Sequence, residues 1–408
     1  MRKFWLNAVL WVAAASFGAI AINANAKETC FPLLLQFIDN EIELGRYPGA
    51  VVVVDRAGHR LIDSVRGSLT PGSDARMVRD AIFRIYSMTK PIVSAAAMVL
   101  VERGELLLDE PVSKYLPAFA RVKVHTPAGL VPAKHPISIR DLLRHTAGLT
   151  YGFFGRGEVR AAYKAARLGN RRRTLEATTD AIANLPLEHQ PGTTWEYSRA
   201  STVVGRVIEV VSGESLDTFL ENHIFGPLGM EDTDFYIPPA KRARAAGDSA
   251  HLPRHFDKPL LLSGGGGLVS TMADYLSFLQ MMRDGGVAPN GTRILTNSSV
   301  IEMRSDQLFA DGIEPGKYYF IGPGHSFGLG FGVKTAMDEG ARAGPVGSYY
   351  WSGYGGTSFW VDPANGLIGI LLVQTRAQNR ARQYQVRAHF YENYGLDGSR
   401  ARDCLERE

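Results

Sequence analysis

Ser87-Met88-Thr89-Lys90 runs straight into Pro91-Ile92-Val93-Ser94-Ala95-Ala96-Ala97-Met98-Val99-Leu100, and the rest of the chain is best understood from this segment. Ile92, Val93, Ala95, Ala96, Met98, Val99 and Leu100 leave almost no polar face before Arg103-Gly104, which predicts a helix buried nearly all round. On such a helix Ser87 and Lys90 share one face, close enough for an amine to touch a hydroxyl. The pair is then a serine nucleophile with its base built in. Upstream, Ala81-Ile82-Phe83-Arg84-Ile85-Tyr86 reads as a short strand or extended segment. It delivers Ser87 to the helix N-terminus, where free backbone N–H groups favour negative charge.

Two downstream segments offer the remaining parts. Pro191-Gly192-Thr193-Thr194-Trp195-Glu196-Tyr197-Ser198 is a turn leading an aromatic-rich stretch into a helix that starts near Arg199. Tyr197 is the candidate second proton carrier. A phenol ionises near ~10 and is a poor base at neutral pH unless an ammonium such as that of Lys90 stabilises its phenolate, in which case the two groups titrate together. A core tyrosine bonding a carbonyl is the competing reading. Trp351-Ser352-Gly353-Tyr354-Gly355-Gly356-Thr357 lies between strand-like runs at 346–350 and 359–361. Its glycines let a backbone approach a ligand, although a plain hairpin has the same composition.

In this order and at these spacings the three segments resemble the serine β-lactamase and penicillin-recognising superfamily, in particular the class C-like branch that includes the family VIII carboxylesterases. Ile139-Arg140-Asp141-Leu142-Leu143-Arg144-His145-Thr146-Ala147-Gly148-Leu149 resembles a further family segment, as do Gly205 to Gly213 with Leu228-Gly229-Met230, and Gly265-Gly266-Gly267-Leu268-Val269-Ser270-Thr271. The resemblance spans most of the mature chain. It implies Ser87 as the acylated nucleophile, Lys90 and Tyr197 as the proton-handling pair, and an oxyanion hole formed by the backbone N–H groups of Ser87 and Tyr354. The implied cycle is acylation followed by hydrolysis of the acyl-enzyme.

Departures from the β-lactamase pattern bear on the substrate. Arg199 stands where lactamases of this branch carry an Asn that contacts the substrate amide, and Trp351 replaces the Lys of Lys-Thr-Gly. That Lys helps hold the substrate carboxylate, which an indole cannot do in the same way. The W-x-G form is similar to that of the esterases, so ester hydrolysis ranks first and lactam or D-amino-acid amide hydrolysis second. Arg199 could itself recover carboxylate affinity. Trp351, Ser352, Gly353, Arg199, Tyr151 and Phe153 are the expected substrate contacts. The Gly- and Phe-rich loop 151–157 is a candidate lid. Tyr86, Phe154, Trp195, Tyr349, Tyr350 and Tyr354 extend an aromatic wall.

A competing nucleophile motif, Gly324-His325-Ser326-Phe327-Gly328, has the G-x-S-x-G form of a nucleophile elbow, which requires a strand before the serine and a helix after it. Ile321-Gly322-Pro323 is a poor strand end, and Leu329-Gly330-Phe331-Gly332-Val333 alternates like a strand. The role therefore stays with Ser87.

With 408 residues, 45% of them hydrophobic, the chain can bury a sizeable core, in two domains or in one with an insertion. A formal charge of +4, from 45 basic and 41 acidic residues, is too balanced to imply nucleic acid. The runs Arg171-Arg172-Arg173 and Lys241-Arg242-Ala243-Arg244 read as solvated surface. The ten histidines show no metal spacing, so neither a metal nor an organic cofactor is expected, and the partner is a small-molecule ester or amide. Arg2-Lys3, the apolar stretch 4–22 and Ala24-Asn25-Ala26 read as an export signal spanning 1–26, with an uncleaved anchor as the alternative; the mature chain would start at Lys27, periplasmic or secreted and off the membrane. Only Cys30 and Cys404 are present, one near each end of the mature chain. An oxidising compartment would permit their pairing, and the side-by-side terminal helices of the family imply it; two free thiols remain the alternative.

The expected fold class is α/β (α+β): an antiparallel sheet flanked by helices, formed by 27–110 with 256–408, and an inserted all-α region at 111–255. The candidate site then falls at the boundary between them.

Overall fold

A computed structural model describes residues 29–247, 255–337, 343–375 and 380–406. The expected leader lies outside the described residues.

Pro32 opens α1 (Pro32–Glu43), which buries Leu34, Leu35 and Ile38. β1 (Gly49–Arg56) and β2 (His59–Gly67) follow as a hairpin around Ala57-Gly58. The run Ala50-Val51-Val52-Val53-Val54 is buried throughout, as a strand covered on both faces requires. α2 (Thr89–Glu102) is buried from Thr89 to Leu100. α3 (Ala200–Ser212) packs against α2 and ends at Gly213 with φ +73°. α4 (Met272–Arg283) is capped by the Thr271 hydroxyl, which accepts from the Asp274 N–H at 3.3 Å. The chain closes with β3 (His325–Phe327), β4 (Gly332–Lys334), β5 (Tyr349–Ser352), β6 (Ser358–Asp362), β7 (Leu367–Val373) and α5 (Arg380–Tyr394).

One antiparallel seven-stranded sheet, in the order β2-β1-β7-β6-β5-β4-β3, organises the molecule. Adjacent residues of β6 show its two covered faces, because successive strand side chains point oppositely. Phe359 meets Tyr275 of α4 at 5.4 Å between ring centroids, and Trp360 meets Phe390 of α5 at 5.9 Å. Phe390 also stacks on Phe31 at 5.2 Å, bringing α1 beside α5. Cys30 and Cys404 are bonded, their Cα atoms 5.8 Å apart across 374 residues of sequence.

Between α2 and α4 the chain is mainly short helices, including Ile139–Leu143, Glu158–Ala165 and Leu175–Ala183. The first carries a capping box between Ser138 and Asp141. A two-stranded hairpin, Lys123–Thr126 with Gly129–Pro132, adds β-structure to the interval expected to be all helical. The parallel pair Thr194–Trp195 and Glu314–Pro315 ties this region to the later part of the chain. The stretch 329–333, which alternates like a strand, becomes one only from Gly332, in β4, because Gly330 turns the chain at φ +96°. Among the described residues no helix is long and apolar enough to cross a membrane.

Candidate active site

Ser87 sits one turn earlier than a plain helix start would put it. Phe83–Arg84 pairs with Val269–Ser270, Tyr86 takes the left-handed φ of +44°, and Ser87 lies in the 3₁₀ turn Tyr86–Met88 that leads into α2. A left-handed conformation costs a non-glycine residue about 1–2 kcal/mol. The surrounding packing holds it, with the Tyr86 ring edge-on to Tyr354 at 5.6 Å and near His255 at 6.4 Å. The result is an abrupt turn that presents Ser87 to a cavity instead of continuing a strand.

Lys90 lies on the first turn of α2 and is fully buried. Its Nζ is 3.3 Å from Ser87 Oγ, 3.2 Å from Tyr151 Oη and 2.6 Å from the Gly265 carbonyl oxygen. No carboxylate is among these partners. Burial, reinforced by the charge of Arg199, holds the amine well below its ordinary value of 10.5. A neutral amine has two N–H donors and one lone pair. Donation to Gly265 and Tyr151 leaves the lone pair for the Ser87 hydroxyl proton.

Gly265 belongs to the run 264–267, which packs closely on its surroundings: a Cβ at 264 would meet the Ser201 carbonyl oxygen at 2.4 Å, and one at 265 would crowd Thr202 Oγ1 at 2.9 Å and Tyr151 Oη at 3.3 Å beside Lys90.

Tyr197 is buried beside Lys90 and presents its ring face, with Lys90 Nζ 4.6 Å from the ring centroid. Its ring packs near Tyr151 at 5.4 Å, Trp351 at 5.5 Å and His145 at 4.9 Å. His145 Nδ1 is 3.2 Å from Ser198 Oγ. Burial, with Lys90 nearby, keeps His145 well below its ordinary value, so it is a neutral spacer. Arg199, the residue before α3, holds its guanidinium 5.0 Å from the Tyr151 ring centroid and donates to the Leu168 carbonyl at 3.5 Å.

Ser87, Tyr151, Tyr197, Arg199 and Gly265 open on a cavity of about 800 Å³, with Lys90 buried behind them. All the expected contacts, Trp351, Ser352, Gly353, Arg199, Tyr151 and Phe153, line it together with Ser87, Tyr197 and Tyr354. Trp351 packs against Phe320 at 5.9 Å and Phe327 at 5.1 Å. Phe153 leans on Tyr151 at 4.7 Å but is 60% exposed, which puts it at the rim. Gly353 lies so close to the turn before Ser87 that a Cβ would meet the Ile85 carbonyl oxygen at 2.4 Å. Ser87 and Tyr354, whose backbone N–H groups are the expected oxyanion donors, thus face the same cavity.

The structure also departs from several expectations. Tyr349 and Tyr350 do not line the cavity: Tyr349 packs on Phe331 at 5.1 Å, and Tyr350, on the opposite face of β5, reaches His325 Nδ1 at 3.0 Å. Trp195 is wholly buried behind Tyr197. Arg171, expected on a solvated surface, turns inward and donates to the carbonyls of Phe235 and Asp257 at 3.3 and 3.0 Å. Phe320 and Gln383 line the cavity without having been anticipated. Gln383 has no local motif around it, yet its Nε2 donates to the Gly353 carbonyl at 2.9 Å. Ser326 lies within β3, fully buried, with its hydroxyl on Asp306. It is followed by strand, so the elbow geometry is absent. Among the described residues no cluster of His, Cys, Asp or Glu could hold a metal ion.

Comparison with known proteins gives a family match described as Beta-lactamase over residues 35–392. An uncharacterised Mycobacterium tuberculosis protein is 34% identical over 355 residues, covering 81% of this chain and 87% of its own length. Esterase EstB of Burkholderia gladioli is 31% identical over 396 residues, covering 89% and 94%. Among solved structures, EstCE1, described as a hydrolase with promiscuous acyltransferase activity, superposes with a TM-score of 0.76 at 28% identity, covering 90% of this chain and 99% of its own.

Proposed function

This chain belongs to the Beta-lactamase family and is a serine hydrolase of that fold, and from that premise we propose that it is a carboxylesterase acting on short acyl esters. The observation that carries the reading is the buried, carboxylate-free Lys90 amine 3.3 Å from the Oγ of Ser87, which lines an aromatic cavity.

In the proposed cycle the Lys90 lone pair takes the Ser87 proton as Oγ attacks the ester carbonyl carbon. The carbonyl oxygen gains negative charge against the N–H groups of Ser87 and Tyr354, and a donor so placed contributes on the order of 3 kcal/mol in other hydrolases. The ammonium formed at Lys90 faces the Gly265 carbonyl and the Tyr197 ring, whose π-face attracts the charged form more than the neutral one. That stabilisation therefore acts mainly in the transition state. Lys90 releases the proton towards the departing alkoxide, with the Tyr197 hydroxyl as the proposed second carrier on the same cavity. Water then attacks the acyl-Ser87 ester, its proton returns by the same groups, and the free acid leaves.

Trp351 supports ester over lactam chemistry, because the cavity has an indole where a lactam-binding cation would stand. A second reading, acyl transfer to an alcohol, is favoured by the aromatic walls, which suit an organic acceptor, and by the activity ascribed to EstCE1. Release of p-nitrophenol from short-chain esters, with acylation mapped to Ser87, tests hydrolysis. Exchange of the acyl group onto added alcohol separates transfer from hydrolysis. A slow, single-turnover adduct would instead point to an acyl-binding sensor.

A further inference from the structure

A second cavity of about 180 Å³ adjoins the first, sharing Tyr151, Arg199, Gly265 and Gly266 with it and adding Arg171 and His255. Its two cations are poorly neutralised. Arg199 makes one long hydrogen bond, to a backbone carbonyl, and Arg171 likewise bonds only carbonyl oxygens. Neither forms an ion pair among the described residues, and neither cavity is lined by Asp or Glu. Asp257 meets Arg171 through its backbone carbonyl, and its carboxylate acts on Arg171 through its charge. His255 is pushed down to about 3 by burial and by Arg171 and Arg84, so the local field is positive.

No acid is among the described residues that line the recess, so its two guanidiniums are poorly neutralised, and each offers the planar fork that suits a carboxylate. The recess is continuous with the nucleophile's cavity. Arg199 packs on the ring of Tyr151, whose hydroxyl bonds Lys90, which in turn touches Ser87.

We propose that this recess is a carboxylate subsite, and that the preferred esters carry an anionic group held between Arg199 and Arg171. The proposal rests on the ester-hydrolase reading and narrows it. The binding cation has in effect moved from position 351, where lactamases carry Lys, to 199. An anionic ester is thus accommodated without the lactam-type contact.

The test is binding to the Ser87→Ala protein, which needs no turnover. Monoethyl glutarate is compared with ethyl pentanoate, placing the charge on the acyl half. 4-Acetoxybenzoate is compared with phenyl acetate, placing it on the alcohol half. The anionic member of at least one pair should bind about tenfold tighter. The preference should fall on adding Arg199→Gln or Arg171→Gln, and also with rising salt in the unsubstituted Ser87→Ala protein. Equal binding within both pairs overturns the proposal, as does a preference that survives both arginine substitutions. Loss of ester turnover by the unmodified enzyme would be a failure of the hydrolase reading and is measured separately.

Discussion

The amine of Lys90 meets Tyr197 at the ring face, 4.6 Å from the centroid, and donates its hydrogen bond to the phenolic oxygen of a different residue, Tyr151, at 3.2 Å. The two tyrosines are thereby separable. Tyr151→Phe removes a hydrogen-bond partner from Lys90 while keeping the ring that supports Arg199, and should lower kcat/KM about tenfold, within the range for a bond to a group that becomes charged. Tyr197→Phe keeps the π-face but removes the proposed proton carrier, and should lower kcat by about two to three orders of magnitude. Steady-state kinetics on one neutral ester checks both, and a Tyr197→Phe enzyme of normal kcat would remove that residue from the proton path.

Lys90 also sets the pH dependence. Its depressed value means kcat/KM should climb with pH and level off well below 10.5 as the amine loses its proton. Between the folded value and 10.5 the unfolded chain binds the extra proton, so stability rises with pH across that window. Lys90→Met should abolish turnover, raise stability at neutral pH and flatten this slope. Paired pH–rate and pH–denaturation profiles provide the check.

The two candidate serines are distinguished by substitution. Ser87→Ala should reduce ester hydrolysis to background. Ser326→Ala should leave the rate within about threefold and cost about 1 kcal/mol of stability, since it loses only a buried bond to Asp306. The opposite ranking would transfer the nucleophile's role to β3.

Reduction of the Cys30–Cys404 bond frees α1 and the C-terminal residues from one another. For a bridge closing a long loop the expected loss is about 2–4 kcal/mol. It should be visible as a lower midpoint in urea with reductant, and intact mass after blocking free thiols verifies the bond itself. Unchanged mass and midpoint would mean the thiols are not paired in solution.

Legibility followed the range of the contacts involved. α2 was readable because its apolar periodicity is local, and Ser87 and Lys90 because three residues of one turn carry the pairing. The helix Asn297–Met303 went unread: seven residues, with Asn297, Ser298 and Ser299 at its start, give too little periodicity. Phe320 and Gln383 reach the cavity only through tertiary packing, which no local pattern encodes. Arg171 read as surface because it sits in a run of three arginines, although burial is decided residue by residue. Tyr151 was legible as an aromatic beside the site but not as the partner of Lys90, which lies 61 positions away.

Gly264 and Gly353 donate no chemistry of their own, yet a Cβ at either would meet a backbone carbonyl oxygen at 2.4 Å, so two chain segments pass there too close for even a methyl group. A saturation screen for lost activity would therefore score these two silent positions alongside the reactive ones. Activity ranking by itself would miscount the reacting groups, and folded yield must be recorded variant by variant to tell a missing functional group from an obstructed approach.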